Sequence, residues 1–66
     1  MQYWTIVYFT PFLLADFVVK VVHYYPGMED DGVNELAACL VEADEEAAAR
    51  LKSDERVVDI FEFPGH

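Results

Sequence analysis

VNELAACLVEADEEAAARLK, residues 33–52, is the stretch on which the fold turns. Val33, Leu36, Ala37, Leu40, Ala47 and Leu51 recur at helical spacing and draw one apolar stripe. Glu35, Glu42, Glu45 and Glu46 fall on the opposite side, and Arg50 and Lys52 occupy the last turn, where cations suit the helix dipole. The spacing therefore predicts a helical region that starts in Glu29-Asp30-Asp31-Gly32, whose carboxylates can cap free N–H groups, and closes at Ser53-Asp54. Asp44 breaks the pattern. At ~100° per residue it falls near the centre of the apolar stripe. Either it is buried there against a partner such as Lys20 or a tyrosine hydroxyl, or the helix is interrupted. In the second case Asp44 is the N-cap of a short second helix, with Glu45 and Glu46 in its first turn.

Strands flank this region. Gln2–Thr10 is rich in aromatic and β-branched residues, with Trp4, Ile6 and Tyr8 on one face and Tyr3, Val7 and Phe9 on the other. Both faces are apolar, as suits a central strand. Pro11 ends it. A second strand covers Asp16–Tyr25, and Pro26-Gly27 stops it in a type II turn. Arg56–Phe63 is a third strand, ended by Pro64-Gly65. The order ββαβ predicts a single α+β domain over residues 1–66, with a three-stranded antiparallel sheet in the order 2-1-3. Its helical region lies on one face, and the other face is open and aromatic.

The chain has 66 residues and a formal net charge of −9. A domain of this size has a thin stability margin. It has one cysteine, Cys39, and no Cys/His cluster at metal-ligand spacing, so neither disulfide nor metal staples it. Stability must come from packing or self-association, and 55% of the residues are hydrophobic. The lone thiol points to a reducing compartment. The apolar run Tyr3–Tyr25 is interrupted by Pro11, Asp16, Lys20 and His23, which argues for strands over a membrane span. A cytoplasmic protein is the expectation.

Charge is unevenly divided. Residues 1–28 balance Asp16 with Lys20, whereas residues 29–66 hold every other acid and only Arg50, Lys52 and Arg56 in return. Such a field repels nucleic acid and anionic membranes and attracts basic protein surfaces. Catalytic groups are sparse. Ser53 is the only serine, His23 and His66 the only histidines, and a Cys39–His23 nucleophile pair would sit beside carboxylates that keep the thiol protonated. Glu29-Asp30-Asp31 lacks the spacing of a calcium loop, and no glycine-rich phosphate loop exists. The sequence predicts no enzyme, cofactor or metal.

Two surfaces are candidates for binding a partner. One is acidic: Asp30, Asp31, Glu35, Glu42, Glu45, Glu46, Asp54, Glu55, Asp59 and Glu62. The other is the apolar loop Phe12-Leu13-Leu14, either a lid folded over the end of the sheet or an exposed hydrophobic anchor.

Small size, a net charge of −9, an α+β core and no catalytic residues together resemble the small acidic anti-CRISPR and DNA-mimic proteins made by phages. The resemblance lies in overall character, with no shared motif. It implies an inhibitor in the host cytoplasm that docks on the basic, nucleic-acid-binding surface of a host protein or nucleoprotein complex of CRISPR type, and blocks DNA recognition. Residues Ala48–Val58 also look like the helix-to-strand passage of ferredoxin-like domains, although the chain is too short for their six elements. The alternative is a structural module that dimerises through its open aromatic sheet face. A monomer is expected ahead of a homodimer.

Overall fold

The computed structural model describes residues 2–12 and 14–64. Four strands make one antiparallel sheet: β1 (Gln2–Phe9), β2 (Lys20–Tyr24), β3 (Leu36–Ala43) and β4 (Val57–Phe63), in the order β2-β3-β1-β4. Among the described residues one helix, α1 (Glu45–Lys52), joins β3 to β4, and a single 3-10 turn spans Leu14–Asp16. The α+β class and the antiparallel sheet are as expected. The strand count and order are corrected from three in the order 2-1-3.

The correction comes from Leu36–Ala43. Expected as the first half of the helical region, it is a strand that separates β2 from β1. Ala37, Ala38, Cys39, Leu40 and Val41 are all buried, although alternate residues point to opposite faces. A surface helix buries one stripe, whereas an inner strand buries both faces. The helical preference of alanine and leucine is worth only tenths of a kcal/mol per residue. Ladders to two neighbours and burial of both faces outweigh it. Val33, once the head of the apolar stripe, is 83% exposed.

Asp44 ends the strand and starts the helix. Its carboxylate accepts from the Ala47 backbone N–H at 2.8 Å, as the N-cap reading has it. Glu45 and Glu46 occupy the first turn and Arg50 and Lys52 the last. The helix lays Ala47, Ala48 and Leu51 against β3 and β4. Beyond its reach, Phe12 and Leu14 cover the remainder of the same face, where Phe12 packs between Tyr8 and Phe17. Trp4, Ile6 and Tyr8 all point into this covered side. The second strand is shorter than expected, because Asp16 belongs to the 3-10 turn. At its far end the Pro26-Gly27 turn forms, with Gly27 at φ +80° and Met28 N–H donating to Tyr25 O at 3.0 Å.

Candidate interaction surface

The covered face fixes what the opposite face presents. With Trp4, Ile6 and Tyr8 turned to the core, β1 must turn Tyr3, Thr5, Val7 and Phe9 the other way. Register places Glu42, Leu40, Ala38 and Leu36 of β3 beside them, and Phe63, Phe61 and Asp59 of β4 on the far side. On the β2 edge stand Lys20, opposite Glu42, and His23, opposite Leu40. Tyr25 joins them: its hydroxyl lies 3.0 Å from Thr5 Oγ1, and its ring meets His23 edge-on at 5.2 Å.

Among the described residues no element covers this face. Its centre is closed by its own side chains, with Thr5, Ala38 and Leu40 buried, while large rings stand around it. Tyr3 is 42% exposed, Phe9 52%, and Phe61 and Phe63 47% each. Of the strand residues that point to this side only Glu42 and Asp59 are acidic, and Glu42 stands opposite Lys20 in register. An aromatic surface nearly free of net charge, on a chain of net charge −9, is the most distinctive feature of the molecule.

The acidic residues singled out from the sequence do not form one surface. Glu35 lies just before β3 and Glu42 near its end, so the four-glutamate helix face does not exist. Glu42 and Asp59 belong to the open sheet face, whereas Glu62 lies on the helix side and accepts from the Gln2 side-chain amide at 3.0 Å. Glu46 pairs with Arg50 at 3.2 Å, and Asp54 holds Arg56 at 2.9 Å. The Arg56 guanidinium, bonded to Asp54, keeps that carboxyl below its ordinary range. Asp31 is lowered too, by the backbone N–H groups of Val33 and Asn34, and it organises the loop before β3. Glu45 and Glu55 are exposed at the two ends of the helix region.

Asp30 is tied to the core. It accepts from the Tyr8 hydroxyl at 2.9 Å, and the Tyr24 hydroxyl lies 3.3 Å from that of Tyr8. Burial above all, then the bonds to Tyr24 and Asp30, push the Tyr8 phenol well above its ordinary value. This chain of hydroxyls borders a hollow of about 350 Å3. Among the described residues no buried side-chain polar atom lacks a partner, so the hollow presents satisfied groups and apolar walls. Sequence reasoning missed the Tyr8–Asp30 pair. Its one signal was a tyrosine on the buried face of a central strand, which needs a hydroxyl partner.

The hydrophobic anchor is corrected. Phe12 and Leu14 are buried in the core, as the lid reading has it, and Leu13 lies outside the described residues. Cys39 faces the core from β3, where burial first and the Asp30 charge second push its thiol up to about 12. Among the described residues no group of three or more His, Cys, Asp or Glu is placed to hold a metal ion, and no helix is long and apolar enough to cross a membrane. No family model matches the chain, and neither a curated protein nor a solved structure matches it.

Proposed function

We propose that this chain is a small protein-binding module, not an enzyme, and that it works through the open aromatic face of its sheet. One observation carries the reading: Tyr3, Phe9, Phe61 and Phe63 stand about half exposed on a face that the acidic residues largely avoid. Half-exposed rings supply contact area at small entropic cost, and a neutral patch within an acidic surface loses little electrostatic energy when it is dried. The surrounding charge keeps the free chain soluble and turns nucleic acid away.

A second reading is docking of the acidic surface on the basic, nucleic-acid-binding surface of another protein. Glu29, Glu35, Glu45 and Glu55 favour it, because they are exposed and form no ion pair among the described residues. Comparing two double variants separates the readings. Phe61→Thr with Phe63→Thr should abolish retention of bound protein by the immobilised chain, while Glu45→Lys with Glu55→Lys should leave it within about twofold. The reverse outcome, with retention that weakens steeply as salt is raised, supports the acidic reading and defeats the first.

A further inference from the structure

We propose that the partner seated on the open face is a second copy of this chain, related by a two-fold axis parallel to the strands. The inference rests on the reading of that face as the binding surface, and it names the occupant.

Side chains on this face fall into rows across the sheet. One row runs Lys20, Glu42, Tyr3, Phe63, and the next runs His23, Leu40, Thr5, Phe61. Ala38, Val7 and Asp59 follow, and then Leu36 and Phe9. A two-fold axis parallel to the strands leaves every row at its own height and exchanges left for right. The β2 edge then lies over the β4 edge of the second copy, and β3 lies over β1.

The residues brought face to face are complementary. Lys20 meets the Phe63 ring, a cation over an aromatic face. Glu42 meets the Tyr3 phenol, a hydrogen-bond donor. His23 meets Phe61, Leu36 meets Phe9, and Ala38 meets Val7. No charge meets a like charge. A two-fold axis perpendicular to the strands would instead lay β3 on β3, with Glu42 over Leu36, and would dry a carboxylate without giving it a donor. The parallel axis is therefore the one this face selects.

Size is consistent with such a dimer. Four strands ~4.8 Å apart, of up to eight residues at ~3.4 Å each, make a face of roughly 19 by 25 Å. Two such faces in contact remove on the order of 1,000 Å2 from water, about the least a specific interface needs. Self-association should then be weak, with a dissociation constant on the order of micromolar. It should also tighten with salt, because each copy carries a charge of −9 and the repulsion between copies is screened.

Sedimentation of the full chain from about 1 μM to about 1 mM, at low and high salt, tests the occupant. The expected result is a dimer that grows with concentration and with salt. The axis is tested with His23→Cys and Phe61→Cys and a thiol cross-linker of about 10 Å, the spacing of packed sheets. Mixed single variants should cross-link several-fold more than either alone, because like positions lie at opposite edges of the dimer. Cys39 is buried and contributes no background. A monomer throughout overturns the second copy, while the retention comparison still decides whether the face binds other proteins. Equal cross-linking by each variant alone overturns the axis. A dimer that survives Phe61→Thr with Phe63→Thr is formed through another surface and overturns the proposal, while the retention comparison again decides the reading beneath it.

Discussion

The Asp44 carboxylate caps the Ala47 backbone N–H at 2.8 Å, and with that bond β3 gives way to α1. Asp44→Ala should lose about 1 kcal/mol of stability, whereas Asp44→Ser or Asp44→Asn should lose only a few tenths. Urea unfolding measures both. Equal losses for all three substitutions would show that the side chain stabilises something other than the helix start.

Leu51 and Val33 share one apolar stripe at helical spacing, yet they behave oppositely. Leu51 is fully buried beneath the helix, so Leu51→Ala should cost ~2–5 kcal/mol, enough to unfold much of so small a domain. Val33 stands in solvent, and Val33→Ala should stay within ~0.5 kcal/mol. Thermal melts of the two variants make the comparison.

Tyr8 is fully buried with its hydroxyl on Asp30. Tyr8→Phe should cost about 1–3 kcal/mol, because the ring stays and the charge-assisted bond is lost. Asp30→Asn should cost less, since the amide oxygen still accepts from Tyr8. A Tyr8→Phe variant as stable as the parent would mean that water serves Asp30 equally well.

Stability should fall in two stages as pH rises into the alkaline range. Folding raises the Cys39 thiol to about 12, so the unfolded chain gives up that proton first, from its ordinary value near 8.5. Stability from this residue is complete below that value and falls as pH rises toward 12. Tyr8 is also raised, and its contribution falls once pH passes the ordinary phenol value of about 10. Cys39→Ala should flatten the first stage and leave the second. Stability profiles of the two proteins between neutral and strongly alkaline pH show whether the first stage disappears.

The helical spacing puts Glu42 and Glu46 on one side, and the fold puts them on different sides. Glu46→Lys loses the exposed pair with Arg50, worth about 0.3–0.5 kcal/mol, and sets a cation in the first turn of α1 four residues before Arg50, a further modest cost, but should leave the open face untouched. Glu42→Lys sets a second cation opposite Lys20 and should weaken whatever binds there by tenfold or more. Titration of each variant against the parent's binding curve distinguishes them.

Much of this fold was legible. The β1 and β4 strands, the Pro26-Gly27 turn and the antiparallel pairing of first and last strand all carry local signals in β-branched residues, proline and glycine. Asp44 was legible as a conflict, because a carboxylate at the centre of an apolar stripe had to be paired or to end something. The β3 strand was not legible. Its Ala-Ala-Cys-Leu-Val run fits a buried strand as well as a helix, and alanine and leucine tip the local preference toward the helix. What decides is a vacancy beside β1, which only the assembled sheet supplies. The four-glutamate helix face failed for the same reason: once Glu35 and Glu42 leave the helix, a compositional excess no longer makes a stripe. The open aromatic face was legible, since both faces of β1 are apolar and one helix covers only one of them.

The central place of β1 has a consequence for how the protein is made. Every ladder partner of β1 lies in residues 36–43 or 57–63, so the strand synthesised first is the last to be completed on both sides. Until Phe63 has left the ribosome, Trp4, Ile6 and their neighbours have an open edge that any extended chain could join. Contacts this distant in sequence also form slowly for so small a domain. The interval between synthesis of the first strand and arrival of the last is when this chain is most exposed to aggregation, and when a chaperone would have the most to hold.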